Sequence, residues 1–382
     1  MDIYVVETGD TIDGIAAGYG IPVQRLAAVN QLEYPYRLAV GQALLILAEG
    51  EDGSEAYKRE ISVNGYAYPF IREWTLRQTL PYLTDLSVFS YGFTFEGELI
   101  YPLVDDDWML SMSSEFAVRP ILTLTPFGPD GKFNNRLIQS VVRNQEYSAR
   151  IINNLLGVMR EKGYMGIDID FEYILAEDRD YFTDFVGNVT ETMNDNGYTT
   201  SVALAPKTSA DQQGLLYEGK DYRALGEAAN SVLLMTYEWG YTYGPPMAVA
   251  PINMVRRVIE YAVTEIDAGK IDMGIPNYGY DWPLPYIRGE TKATTIGNIE
   301  AVQIAINNNA AIMFDETAMS PYFRYNRDGT EHEVWFEDVR SLNAKFSLLE
   351  EFNLRGAGYW TIMQWFKPNW ELLNYRFNVK KQ

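Results

Sequence analysis

Between Gly163 and Tyr173 the chain reads Gly-Tyr-Met-Gly-Ile-Asp-Ile-Asp-Phe-Glu-Tyr, an apolar run with carboxylates at every second position. Alternate strand residues face the same way, so Asp168, Asp170 and Glu172 form one column, stepped by roughly 6–7 Å. A core strand has no evident use for three acids. A strand of a parallel barrel does, because its inward positions end at the open C-terminal mouth where chemistry is done.

The surrounding sequence supplies the barrel. Apolar strands are read at Asn64–Pro69, Leu86–Phe93, Pro120–Leu124, Tyr164–Phe171, Thr200–Ala205, Ser231–Tyr237, Ile271–Tyr278 and Gly356–Ile362. Between them run amphipathic helices, one with Ile152, Leu155, Leu156 and Met159 on a single face, the next with Phe182, Phe185, Val186, Val189 and Met193. Eight such units predict an α/β fold, a (β/α)8 barrel over residues 61–382. Met319–Tyr325 and Glu333–Phe336 read as a hairpin inserted between the seventh and eighth strands.

Residues 1–48 form a separate unit, with 49–60 as a polar, glycine-containing linker. Tyr4-Val-Val6 reads as a strand, Thr8-Gly-Asp-Thr11 as a turn and helix start, and Gly18-Tyr-Gly20 as a stop. A short helix covers Val23 to Asn30, and Val40–Ile46 closes the unit as a strand.

Composition narrows the chemistry. The chain has 52 acidic against 31 basic residues, a net charge of −21, no cysteine and one histidine. This balance disfavours nucleic acid and anionic membranes, which need clustered positive charge. Thiolate chemistry is excluded, and a Ser/His/Asp triad or a metal centre is not expected. His332, in Thr330-Glu-His-Glu333, reads as a solvated loop histidine. No run of eighteen apolar residues spans a bilayer, and the start lacks the pattern of a signal peptide. In the acid column, mutual repulsion and burial raise the pKa values, so at least one carboxyl stays protonated near neutrality. No basic residue lies nearby in sequence to neutralise it.

The first unit resembles the LysM module, a βααβ fold, through Tyr4-Val-Val-x-x-Gly-Asp-Thr-Ile12, Tyr19-Gly-Ile-Pro-Val23, Asn30 and Leu38-x-Val-Gly-Gln-Ala-Leu45. The resemblance implies binding of N-acetylglucosamine-containing glycan, peptidoglycan or chitin, between Gly9, Asp10, Thr11 and Ile12 on one side and Asn30, Gln31 and Leu32 on the other. Asp10 and Thr11 read equally well as helix caps.

From about residue 61 onward the chain resembles the chitinase-like family 18 glycoside hydrolases. Gly166-Ile-Asp-Ile-Asp-Phe-Glu172 is their Asp-x-Asp-x-Glu signature, with Met165 where the fuller pattern has another acid. Met235-Thr-Tyr-Glu238, Gly274-Ile-Pro-Asn-Tyr278 and Gly358-Tyr-Trp360 match further landmarks, while Leu122-Thr-Leu-Thr-Pro126 departs from the usual Ser-x-Gly-Gly. Ser201-Val-Ala-Leu-Ala-Pro-Lys-Thr208, Met235–Pro246 and Arg355–Trp360 look like the LysM-bearing spore germination enzymes, cortex-lytic N-acetylglucosaminidases of Gram-positive spore-formers. Those often carry two LysM modules; one is found here.

What the resemblance implies is retaining, substrate-assisted hydrolysis of β-1,4 bonds at N-acetylglucosamine, without metal or cofactor. Glu172 acts as general acid, then base, and Asp170 accepts the acetamido N–H. Asp168 holds or shares the proton of Asp170, and Tyr237 orients the acetamido oxygen. Trp360 floors the sugar site. Tyr278 and Glu238 line the cleft or pack in the barrel; Trp239, Tyr241 and Tyr243 extend the groove or cover the barrel top. The implied enzyme is a monomer made in the cytoplasm and placed in the spore coat, cortex or wall. A chitinase or chitooligosaccharide hydrolase, or a barrel that binds glycan without turnover, are the alternatives.

Overall fold

A computed structural model of the protein describes residues 1–48 and 58–381. Residues 49–57 of the expected linker lie outside the described residues. In the first unit, β1 (Asp2–Val5) pairs antiparallel with β2 (Ala43–Ile46), and the helices Ile12–Tyr19 and Val23–Val29 lie between them in sequence. Thr11 caps the first helix by accepting the Gly14 amide at 3.1 Å. Gly20 ends it with φ 65°, a left-handed conformation in which glycine carries no Cβ penalty. Ile12, Ile15, Leu26, Leu44 and Ile46 form the small core.

The second unit opens with β3 (Arg59–Ala67), β4 (Asp85–Phe93) and a two-residue hook, β5 (Leu99–Ile100), antiparallel to β4. It continues through β6 (Arg119–Leu124), β7 (Gly166–Ile169), β8 (Thr199–Leu204), β9 (Ser231–Leu234) and β10 (Ile271–Pro276). The insertion is larger than a hairpin. It comprises β11 (Gly279–Pro283), β12 (Thr294–Ile296), β13 (Met313–Asp315), β14 (Ser320–Arg327) and β15 (Thr330–Trp335), an antiparallel sheet in the order β12-β11-β15-β14-β13, with the helix Asn298–Asn307. β16 (Gly356–Trp360) then pairs with both β10 and β3, closing a barrel of eight parallel strands, and β17 (Phe377–Val379) adds outside β3.

The helix Gln145–Lys162 starts at the Asn144 cap and stops at Gly163, φ 84°. Its apolar face and that of Arg179–Asp195 cover the acid strand. Phe171 shows how. Its ring is fully buried against Phe182 and Phe185, both at 5.8 Å between centroids, and against Phe93 at 5.4 Å. Burying such a ring stabilises by about 1.5–3 kcal/mol. It anchors the outer face and thereby commits the alternate residues Asp170 and Glu172 to the inner one.

His332 is not a solvated loop residue. It sits on β15 with Nδ1 2.8 Å from Asp281 Oδ1 and its ring 5.0 Å from that of Tyr325. Strand pairing with β11 carries it there, a contact that its polar sequence neighbours gave no sign of.

The two units touch through specific bonds. Ile312 N–H donates to Val40 O at 2.8 Å, Arg340 donates to Gly41 O at 3.2 Å, and Arg37 donates to Ile306 O at 3.2 Å. Gly41 is left-handed at φ 83°, and a Cβ there would lie 2.8 Å from the Ile312 carbonyl carbon. Gln31 completes the contact: its side chain accepts Lys367 N–H at 2.9 Å and donates to Trp365 O at 3.5 Å. No helix among the described residues is long and apolar enough to cross a membrane.

Candidate active site

β7 places Asp168 inside the barrel, fully buried, beside Thr123 on β6 and Ser201 on β8 in register. Tyr66 donates its hydroxyl to Asp168 Oδ2 at 3.0 Å, and Ser201 donates to Oδ1 at 2.5 Å. Both donors favour the carboxylate, but burial is the larger influence and pushes the pKa up. Asp170, one step toward the mouth, anchors its amide on Leu124 O at 3.0 Å, while its Oδ1 is buried without a hydrogen-bond partner. Burial, Glu172 and Asp168 together push its carboxyl well above the ordinary range. Glu172 is pushed up by burial, with Lys220 opposing.

Tyr237 reaches the same space from the loop after β9 and is 9% exposed. Burial first, then Asp170 and Glu172, hold its phenol well above the ordinary value, so it stays a proton donor. The chain turns sharply after each of these groups: Tyr173 has φ 49° and Glu238 φ 67°. Left-handed backbone at non-glycine residues costs roughly 1–3 kcal/mol each, a strain that clusters at functional sites.

Trp360 ends β16 half-buried, its ring 4.8 Å from Phe89, 5.8 Å from Tyr66 and 6.2 Å from Tyr68. These rings pack around the indole and hold it in place. Tyr278 is buried and donates to Glu238 Oε1, which also accepts Tyr280 OH at 2.9 Å. Trp239 is partly buried against the core, and Tyr241 and Tyr243 are 42% and 58% exposed.

In the LysM-like unit the seven expected residues are put to different uses. Asn30 is 3% exposed and braces the unit internally, bonding Leu26 O, Leu45 O and Leu45 N–H. Ile12 is core, Leu32 packs on that core, and Gln31 is bonded to the barrel. Asp10 accepts Tyr4 OH at 2.8 Å and Glu7 N–H at 2.7 Å, Thr11 is the cap already described, and Gly9 is exposed.

Sequence reading missed three groups that touch or face the acids: Tyr66, Ser201 and Lys220. Lys220 is the basic residue that the local sequence lacked. It lies in the loop after β8 and is 1% exposed, its ammonium donating to Ala203 O at 2.7 Å. The signal was its position, one of two lysines in the loop at the C-terminal end of the strand next to the acid strand.

Among the described residues one group of three carboxylates could share an ion: Asp105, Asp106 and Asp107. Lys162 already stands among them, and Tyr91 and Tyr164 donate to Asp106. A cavity of about 650 Å³, lined by Arg59, Asp85, Arg119, Asp272 and Arg355, lies at the N-terminal end of the barrel. In this fold that end carries stability and the other carries chemistry.

A barrel with an Asp-x-Asp-x-Glu column, a facing tyrosine and a tryptophan at the end of its last strand points to a glycoside hydrolase. The family model of glycosyl hydrolases family 18 matches residues 128–364, and the LysM domain model matches residues 4–46. The chain belongs to glycosyl hydrolases family 18, with a LysM domain at its N-terminal side. It is 40% identical to the cortical fragment-lytic enzyme of Bacillus subtilis (strain 168), over 100% of this chain and 99% of that one. The crystal structure of the Bacillus megaterium spore cortex-lytic enzyme SleL superposes with TM-score 0.93 at 32% identity, covering 100% of this chain and 99% of that chain. A chitinase from Chromobacterium violaceum shares the barrel, with TM-score 0.76 at 23% identity.

Proposed function

We propose that this chain is a retaining β-N-acetylglucosaminidase that cleaves peptidoglycan of the spore cortex, with its LysM domain holding the glycan. Relatives that match along the whole chain include proteins with cortex-lytic names, which supports this polymer over chitin. The observation that carries the mechanism is Asp170 Oδ1, a buried acceptor with no partner between Asp168 and Glu172. A substrate acetamido N–H supplies that partner. With its nitrogen held, the acetamido carbonyl oxygen attacks the anomeric carbon from within the substrate, an arrangement worth several kcal/mol over a bimolecular attack.

Glu172, its pKa raised by burial, gives its proton to the departing glycosidic oxygen and later takes one from water. Tyr237 donates to the acetamido oxygen, and Trp360 supports the apolar face of the sugar. Two displacements at one carbon retain its configuration. The reading takes the working unit to be a monomer placed in the spore cortex or wall.

The test is mass spectrometry of borohydride-reduced products from cortex fragments and, separately, chitooligosaccharides, with Glu172→Gln as the control. New reduced N-acetylglucosamine ends on cortex, absent with Glu172→Gln, are expected. Efficient chitin cleavage with intact cortex would assign a chitinase, and binding of both without cleavage would leave a glycan-binding barrel.

A further inference from the structure

The acid column has a cation built against it. Gly219 packs so tightly on the backbone just past Glu172 that a Cβ at 219 would lie 2.6 Å from the Ile174 carbonyl carbon. That close approach brings Lys220 into the barrel wall, where Ala203 O takes its ammonium at 2.7 Å. Ala203 lies two residues beyond Ser201, the partner of Asp168, so the ammonium stands at the level of Asp170.

We propose that Lys220 is a positioning residue for the acid column, its ammonium serving as the fixed counter-charge that keeps a single carboxylate ionised while Asp170 and Glu172 hold their protons. The inference rests on the roles given above to Asp170 and Glu172. Hydrogen bonding marks which acid is ionised. Asp168 accepts from two hydroxyls, Tyr66 and Ser201, whereas Asp170 Oδ1 accepts from none. One carboxylate and one ammonium leave the buried site neutral.

The other charged and titratable groups around Lys220 fit this assignment. Asp168, Asp170 and Glu172 face it from β7 and the turn beyond, and all three favour its charged form. Tyr66 and Tyr237 look into the same space and remain neutral phenols, held high by burial. On the loop side, Lys207 is turned away, its ammonium donating to Lys220 O at 2.9 Å and Ala210 O at 3.2 Å, and the Tyr222 hydroxyl is taken by Ala205 O at 2.5 Å. Burial brings Lys220 down to about 8, leaving the ammonium in place across the acid and neutral range.

The experiment compares pH profiles of kcat/KM on reduced cortex fragments for wild type and Lys220→Met. An opposite charge within about 4–6 Å lowers a carboxyl pKa by about one unit or more, so loss of the ammonium should move both limbs upward by about one pH unit, with activity on the acid side falling about tenfold. The chain has no cysteine, so Lys220→Cys offers a unique attachment point. Alkylated in denaturant and refolded, it carries an ammonium with 2-bromoethylamine and a neutral amide of similar length with iodoacetamide.

The charged adduct should restore the wild-type limbs and the neutral one should not. Unchanged limbs in Lys220→Met, with only the melting temperature lowered, would reduce Lys220 to a packing residue; a neutral adduct that fails to fold where the charged one folds would make the charge a requirement of folding and overturn its role in setting the limbs. Retained hydrolysis by Glu172→Gln would instead overturn the underlying acid assignment.

Discussion

The ring of Tyr237 lies against Gly274: a Cβ at 274 would stand 2.7 Å from Tyr237 Cε1 and 2.5 Å from Leu234 O. No alanine fits there without moving the phenol or β9. Gly274→Ala should therefore lower kcat by one to two orders of magnitude, because small misplacements of positioned groups are costly in rate. The accompanying loss of stability should be modest, about 1–3 kcal/mol for overpacking. Wild-type kcat in a folded Gly274→Ala protein would remove Tyr237 from the mechanism.

Tyr66 and Ser201 are the two donors that favour the Asp168 carboxylate. Tyr66→Phe removes one, so Asp168 should hold its proton to higher pH and the acid limb of kcat/KM should rise. The stability cost is about 1–3 kcal/mol, that of a buried acceptor losing its partner. An acid limb that stays fixed would show Asp168 to be uncoupled from turnover.

Stability should fall as pH rises through the weakly acidic range. Asp272, 6% exposed in the cavity at the barrel's N-terminal end, is pushed up to about 6 by burial despite its bond to Arg355. Unfolded, an aspartate releases its proton near pH 4. Between about 4 and 6 the unfolded chain therefore binds fewer protons than the folded one, and unfolding becomes easier with rising pH. At about 1.4 kcal/mol per unit, Asp272 contributes about 2–3 kcal/mol over this window. Asp168, Asp170 and Glu172 are shifted in the same direction and add to the slope. Asp106, shifted down, contributes stability that is lost only at lower pH. Urea titrations at pH 4 to 7 should show the slope, and Asp272→Asn should flatten it; a wild-type stability rising across this interval would refute the assignment.

At Gly41 the LysM domain meets the barrel with no room for a side chain, so Gly41→Ala should separate them. The substitution meets both the Ile312 carbonyl and an unfavourable φ of 83°. Scanning calorimetry should show the LysM transition splitting from that of the barrel, with hydrolysis of short soluble fragments unchanged. A single unshifted transition would mean that the contact yields without cost.

The barrel was legible because its eight strands are apolar runs of useful length and its helices carry clean apolar faces. The acid column was legible because its members are neighbours in sequence. Tyr66, Ser201 and Lys220 were not, since they come from three other places along the chain: Tyr66 meets Asp168 across 102 residues and Ser201 across 33. The inserted sheet was underestimated because Thr294–Ile296 and Met313–Asp315 are too short to show a period. Asn30 and Gln31 illustrate another limit: polarity marks a residue as able to bond, without saying whether its partner is a ligand, its own fold or a neighbouring domain.

The bonds made by Gln31, Arg37, Val40 and Gly41 bear on how a captured strand meets the barrel. A flexible tether raises local concentration and lets every sugar within its reach compete for cleavage. A domain bolted to the barrel surface has no such reach. On the function proposed above it acts as a ruler, presenting Glu172 with bonds at a set distance along a glycan strand.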